Sequence, residues 1–263
     1  MDILKLLSDT FLDWKAIGAV LPKMFAVGLP NTLVLAVSSG VIGTVLGMLL
    51  ALMGISRNAG ARWVARIYTD VLRGLPPILT ILVIGLGFGP IVRQWTGSTS
   101  PYPMAIAALS LMSAAYIGEI FRSGIQSVDK GQLEATRALG FGYGPAMRLV
   151  VVPQGVRRVL PALVNQFIAI VKDSSLVYFL GLLVSERELF RVGQDAAVLS
   201  GNLSPLVAAG VFYLVITVPL THLVNHFDNK FRTGRRRPAP PTSGLNEVKD
   251  LEAASPLTTG SNT

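Results

Sequence analysis

The residues of this chain that could take part in chemistry lie in three places. Lys172 and Asp173 are adjacent within an apolar stretch, Glu119 and Arg122 lie one helical turn apart, and the segment 131–153 is polar and glycine-rich. Charges at membrane depth are costly and usually face a cavity or a partner. Lys172 and Asp173 therefore either line a path for a charged solute or pair with charges on another helix or subunit. Glu119 either meets such a solute or forms a local ion pair with Arg122.

The sequence contains no pattern that predicts catalysis, a metal site or a cofactor site. There is no Gly-Lys pair, so a phosphate-binding P-loop is absent. HExxH and GxSxG are absent as well. His222 and His226 have a spacing that can hold a metal, but two ligands in a chain without cysteine make a poor site. We expect a protein that is not an enzyme and has no metal or cofactor of its own.

The composition predicts an integral membrane protein. Of 263 residues, 51% are hydrophobic and only 14% are charged, where a soluble domain has roughly 25% charged residues. The net charge of +8 is explained by basic cytoplasmic loops, so no nucleic acid is expected as a partner. Charged residues are absent from four stretches, each long enough to cross a bilayer, at 24–56, 74–92, 94–118 and 196–227.

The apolar pattern predicts an all-α chain with five membrane spans. They are placed at about 32–55, 67–92, 103–121, 160–184 and 203–227. Lys172 and Asp173 fall in the middle of the fourth. The loops after the first and third spans and the C-terminal end are basic, which puts the N-terminus outside and the C-terminus in the cytoplasm of a cell-membrane protein.

The two ends of the chain differ from the central domain at 31–230. Residues 1–30 predict an amphipathic helix that lies in the membrane interface, or alternatively caps the bundle. Its apolar residues recur every three or four positions at Leu4, Leu7, Phe11, Trp14, Ile17 and Leu21. The tail at 231–263 is basic, then rich in Pro, Ser, Thr and Gly, and is predicted to be disordered in the cytoplasm.

The polar loop at 122–158 contains a short helix predicted by its caps. Asp129 can cap the N-terminus with Gln132 as its reciprocal partner, and Gly140 can end the helix. The result is a two-turn helix at 134–139. A short capped helix beside several glycines suits docking onto another protein.

At this loop the sequence resembles the membrane permeases of ATP-binding cassette importers, whose hallmark is the EAA loop. The family pattern is Glu-Ala-Ala, three residues, Gly, nine residues, Ile, one residue, Leu-Pro. Without insertion or deletion, this chain has at those positions Glu134, Ala135, Thr136, Gly140, Val150, Val152 and Pro153. Three replacements keep small size or apolar character.

The resemblance extends over about 29–232. Within the permease family, it is to the branch that takes up polar amino acids. The stretch 116–140 resembles that branch's third span and loop, and 172–182 resembles its fourth span. The stretch 73–77, RGLPP, resembles an Arg-Gly-Thr-Pro segment of the second span, with Leu75 in place of Thr.

The resemblance implies a type I importer permease of five transmembrane helices for a polar or charged amino acid, of the glutamate, glutamine, histidine or arginine class. Two permeases, identical or homologous, would sit in membrane lipid above an ATPase dimer that binds ATP and Mg²⁺, and an extracytoplasmic binding protein would deliver the cargo. The coupling residues implied are Glu134, Ala135, Thr136, Leu139, Gly140 and Pro153. The candidates for the substrate path are Lys172, Asp173 and Glu119.

The alternative is a carrier driven by an ion gradient through these same charged residues. Such carriers often contain inverted repeats. Five spans do not divide into two equal halves, and no internal repeat is evident.

Overall fold

The structure, a computed structural model, describes residues 3–233, with the side chains of residues 3 and 5–224. All regular elements in that part of the chain are helical. The α-helices are α1 Ile3–Phe11, α2 Trp14–Lys23, α3 Leu29–Gly54, α4 Ala59–Gly74, α5 Pro77–Thr96, α6 Tyr102–Gln126, α7 Lys130–Ala138, α8 Tyr143–Ala146, α9 Val152–Asp173, α10 Leu189–Ser200 and α11 Ser204–Thr233.

Five helical segments are long and apolar enough to cross a membrane. They are Lys5–Gly54, Pro77–Thr96, Tyr102–Gln126, Tyr143–Leu180 and Ser204–Val224. The prediction of an all-α multi-pass membrane protein with five spans is therefore confirmed. Most of the predicted tail, 234–263, lies outside the described residues.

The N-terminal segment forms two helices where one was predicted. Asp13 separates them because its Oδ1 accepts hydrogen bonds from the N–H groups of Lys15 (2.9 Å) and Ala16 (3.2 Å), which caps α2. Apolar residues of α1 such as Leu6 and Leu7 are exposed, as is Trp14 at the start of α2, whereas Val20 and Met24 further along are buried. The chain continues from α2 through a π-helical turn at Met24–Gly28 into α3, so this segment joins the first span without a break.

The second predicted span begins later than position 67, because the interruption that Arg73, Gly74, Pro76 and Pro77 make in the sequence separates two helices. The stretch 67–92 is divided between α4 and α5, with Leu75 and Pro76 between them. A residue before proline disfavours the helical conformation, and Pro77 suits the start of the next helix. The helix α4 is a separate amphipathic element, and α5 alone meets the criteria of a span.

The fourth predicted span was also wrong in detail. The helix α9 begins at Val152, eight residues earlier than predicted, and ends at Asp173, where a 3₁₀ segment Ser174–Leu180 follows. Hydroxyl groups take the last carbonyl oxygens: Ser174 Oγ donates to Val171 O and Ser175 Oγ to Lys172 O, both at 2.7 Å. Lys172 and Asp173 therefore lie at the end of α9, where the α-helix changes to a 3₁₀ helix within the segment Tyr143–Leu180.

The helix α6 is the centre of the bundle and contacts α3, α4, α5 and α9. Small residues allow the close approach. Gly124 of α6 and Gly155 of α9 meet at the crossing of these two helices. A Cβ added at position 155 would lie 2.7 Å from Cα of Ile125 and 2.8 Å from its nitrogen, so the backbone itself fills that space.

We predict that Gly155→Ala destabilises the bundle by about 1–3 kcal/mol, the usual cost of overpacking a close contact. Since the contacting atoms belong to the backbone, α6 and α9 would have to separate. Thermal unfolding of the purified protein in detergent measures this effect. Gly87→Ala in α5 is the matched control, because a Cβ there meets no atom within 4 Å. Equal losses in both variants would contradict the assigned contact.

Candidate functional site

The loop between α6 and α9 carries the predicted coupling helix, with corrected bounds. The helix α7 runs over Lys130–Ala138 and starts four residues before the predicted position 134. Asp129 caps it as predicted, since its Oδ1 accepts from Gly131 N at 2.7 Å. The reciprocal contact expected of Gln132 was wrong: its side-chain oxygen accepts from Gln154 Nε2 of α9 at 3.2 Å.

Gly140 makes the turn that ends this helix. Its backbone φ is +88°, in the left-handed region that favours glycine, and its N–H bonds Arg137 O at 3.0 Å. A Cβ at this position would meet no atom of the described residues within 4 Å. Among these residues the position is therefore open, as the docking of a partner would require.

The residues of the predicted coupling loop divide into an exposed set and a buried one. Thr136 is buried, and its Oγ1 donates to Gln132 O at 2.6 Å. The exposed positions are Glu134, Ala135, Leu139 and Gly140. Leu139 is 79% exposed, and Phe141 next to the turn is also exposed. We call Glu134, Ala135, Leu139, Gly140 and Phe141 the coupling face; its apolar exposure suits burial against another protein.

The loop is fixed to the bundle by basic side chains that sequence reasoning had assigned to topology alone. Arg158 of α9 donates to the carbonyl oxygen of Ser127 at the end of α6. The guanidinium of Arg57 lies 4.4 Å from the ring centroid of Tyr143, a cation–π contact. Pro153 lies in the first turn of α9, where the chain returns from the loop. The loop can therefore transmit force, because it is held at both ends.

Lys172 and Asp173 lie where α9 ends, with Lys172 exposed and Asp173 partly buried. Neither forms an ion pair with any other described residue. Three polar residues, Arg158, Asn165 and Lys172, recur every seven positions and so share one face of α9. Asn165 was missed because a search for charges ignores amides, although the seven-residue spacing was readable in the sequence.

The structure does not bring Glu119 together with Lys172 and Asp173. Glu119 receives two hydrogen bonds from Arg122, at 2.9 Å from Nε and 2.5 Å from Nη2, and Arg73 Nη1 lies 3.8 Å from Oε2. The described residues that line the cavity beside Glu119 come from α3, α4 and α6, not from α9. These contacts favour the local ion pair, and a role for Glu119 in the substrate path stays a prediction.

A buried carboxylate that sequence reasoning missed lies between the fourth and fifth spans. Glu188 is fully buried and caps α10; its carboxylate accepts from the N–H groups of Phe190 (2.5 Å) and Arg191 (2.7 Å) and from Tyr213 Oη (3.1 Å). The adjacent Leu189 N donates to Thr32 Oγ1 at 3.0 Å. Three elements, α3, α10 and α11, therefore meet here. Acidic and basic residues alternate at 186–188 and another arginine follows at 191. Only the three-dimensional contacts show which of the two carboxylates is buried.

We predict that Glu188 makes stability depend on pH. Burial raises the pKa of Glu188 to about 7, although the N–H groups of Arg191 and Phe190 favour the charged form. The folded protein therefore holds a proton that the unfolded chain releases near pH 4.5. The free energy of unfolding should fall by up to about 3 kcal/mol as the pH rises through that window, and the stabilisation is fully present only below it.

The measurement is thermal unfolding in detergent at pH 5 and pH 8, for the natural protein and for Glu188→Gln. The amide cannot ionise, so the variant should lose this part of the pH dependence. An identical difference between the two pH values in both proteins would contradict the prediction.

Comparison with known proteins identifies a family that this chain matches. Residues 43–233 match the family described as binding-protein-dependent transport system inner membrane component. The arginine transport system permease protein ArtQ of Bacillus subtilis is 36% identical over 222 residues, which are 84% of this chain and 98% of that protein. The glutamate/aspartate import permease protein GltK of Escherichia coli is 33% identical over 223 residues, 83% of this chain and 97% of that protein.

A solved structure agrees with both. A chain of the crystal structure of an amino acid ABC transporter with histidines has a TM-score of 0.71 and 30% identity, covering 83% of this chain and 99% of that one. The inward-facing MetNI methionine ABC transporter, at 21% identity and a TM-score of 0.63, supports the fold alone. The family match covers well over half of the sequence and includes α6, the coupling face and α9. This chain is therefore a member of the family of binding-protein-dependent transport system inner membrane components.

Proposed function

We propose that this chain is the transmembrane permease subunit of an ATP-driven importer for a polar or charged amino acid. The observation that carries the proposal is the coupling face: a capped helix, ended by Gly140, that presents exposed apolar side chains from a loop fixed at both ends to α6 and α9. Relatives at 36% and 33% identity are named as permeases for arginine and for glutamate/aspartate. The family match does not favour the carrier driven by an ion gradient.

In this proposal an ATPase dimer docks on the coupling face and supplies the energy. ATP and Mg²⁺ are bound by the ATPase, since the sequence contains no P-loop. Leu139 and Phe141 would be buried in the interface. Closure of the ATPase on nucleotide would move α7, and Gln154 of α9, which donates to Gln132 of α7, would pass that movement to α9, while Arg158 connects α9 to the end of α6.

The cargo would pass along the polar face of α9, and Lys172 and Asp173 at its end would bind the charged groups of the amino acid. A second permease, identical or homologous, would complete the path. An extracytoplasmic binding protein would deliver the cargo. The basic loops favour an orientation with the N-terminus outside and the coupling face in the cytoplasm. The exposed apolar residues of α1 and Trp14 support contact with membrane lipid.

The test is purification of the tagged protein from its native membrane in mild detergent, with mass spectrometry of whatever remains bound in near-equal amount. We expect an ATPase with a P-loop, with or without a second permease. Recovery of the chain alone, or only with copies of itself even after cross-linking, would overturn the proposal.

A further inference from the structure

A second polar region of the bundle is a cavity between α3, α4 and α6, with a volume of about 360 Å³. Its charged lining residues are Arg62, Arg66, Asp70, Arg73, Glu119 and Arg122. The described lining includes no residue of α9, the helix along which the cargo is proposed to pass.

The lining carries four arginines and two carboxylates, an excess of positive charge. Glu119 neutralises Arg122 through its two hydrogen bonds and approaches Arg73 only to 3.8 Å. The guanidinium of Arg73 also lies 5.5 Å from the ring centroid of Tyr116. Both contacts hold Arg73 in place. Neither of them gives Arg73 a carboxylate at hydrogen-bonding distance among the described residues.

Arg62 and Arg66, in the preceding turns of α4, are neutralised still less by nearby negative charge. Arg62 Nη1 donates to the carbonyl oxygens of Ser56 (2.8 Å) and Arg57 (3.0 Å), which orient the guanidinium but leave its charge unbalanced. Arg66 forms no ion pair with any described residue. A guanidinium that lines a cavity and has no ion-pair partner among the described residues can bind an anion such as phosphate through two of its N–H groups.

The opposite face of α4 is apolar and exposed. Val64, Ile67 and Val71 lie on it, and Trp63, which also lines the cavity, lies at its edge and is 66% exposed. In a membrane protein such a face contacts lipid, with tryptophan at the depth of the headgroups. The arginine cavity thus lies directly behind a surface along which acyl chains can run.

We propose that this cavity binds the phosphate of an anionic lipid headgroup through Arg62, Arg66 and Arg73. The proposal rests on the orientation given under the proposed function, which places the ends of α3 and α6 at the cytoplasmic leaflet, where anionic lipids and basic pockets between helices occur together. The cavity accommodates one headgroup, and the lipid's chains would lie against Trp63 and Val64.

The experiment measures lipid retention by native mass spectrometry on the purified full transporter in mild detergent. The probes are phosphatidylglycerol, phosphatidylcholine and inorganic phosphate. We expect the natural protein to retain phosphatidylglycerol in preference to phosphatidylcholine. Arg66→Gln should weaken that retention by about tenfold, the effect of losing one charge-assisted contact. Arg66→Lys keeps the charge and should fall between the two.

Arg93→Gln is the matched control, because Arg93 lies in the last turn of α5, away from the cavity. Equal retention of both lipids, or an equal loss in Arg66→Gln and Arg93→Gln, would overturn the proposal. Binding of inorganic phosphate without a preference for phosphatidylglycerol would overturn it in favour of a soluble anion. Lipid retention is independent of cargo uptake, so failure of transport with the lipid result intact would count against the proposed function alone.

Discussion

Gly140→Glu should insert and fold yet lose most of its uptake. The position has φ of +88°, so any side chain there meets the left-handed backbone penalty. An added Cβ would meet no atom of the described residues within 4 Å, so we expect the bundle to tolerate the change. In the proposed importer a new carboxylate would lie in the middle of the coupling face and would be desolvated on docking. We expect uptake and ATPase retention to fall at least about tenfold, as a loss of about 1.4 kcal/mol of docking free energy suffices.

Gly97→Glu is the matched control for the backbone penalty. Gly97 also has positive φ, +68°, with no atom within 4 Å of an added Cβ, but it follows α5, far from the coupling face in sequence. Both variants should insert and unfold at similar temperatures, and only Gly140→Glu should lose the co-purified ATPase. Normal transport by Gly140→Glu would remove the loop from its proposed role.

Asp173→Asn should lower uptake by about tenfold or change its preference between acidic and basic amino acids. In the proposed path the carboxylate binds a charged group of the cargo, and a charge-assisted hydrogen bond contributes about 1.5–3 kcal/mol. Asp173 forms no ion pair with another described residue. Removal of its charge therefore leaves no orphaned ion-pair partner among the described residues. Uptake of radiolabelled glutamate and arginine into cells measures rate and preference together.

Asp9→Asn serves as the control, since Asp9 is an exposed carboxylate of α1 at the other end of the chain. It should leave both rate and preference unchanged. If Asp173→Asn also leaves them unchanged, the residue has the structural role of pairing between subunits. The matched variant Lys172→Gln then asks whether the neighbouring charge carries the cargo contact.

The features that could be read from sequence are those decided by neighbouring residues. Five spans follow from long charge-free stretches, because a bilayer excludes charge over about 20 residues of helix. The cap at Asp129 and the turn at Gly140 follow from local backbone chemistry. The loop pattern around Glu134 was similarly recognisable because its spacing is contained within 23 residues of chain.

Errors arose where local patterns compete. Leu75 and Pro76 divide a stretch whose hydropathy is continuous, and the hydroxyls of Ser174 and Ser175 accompany the end of α9 within an apolar run. The mean hydropathy of a stretch does not register single residues of this kind, whereas each of them affects the conformation of the backbone. The boundaries of the second and fourth spans were therefore misplaced even though their existence was predicted correctly.

Contacts between residues far apart in sequence were decided only by the tertiary structure. Leu189 N meets Thr32 Oγ1 across 157 positions, and this junction buries Glu188. The arginines of α4 gain a shared cavity only because α3 and α6 close it. A sequence states the chemistry of each side chain, but burial, pKa and cavity charge depend on which helices pack together, and in a bundle that is fixed by close contacts such as Gly124 with Gly155.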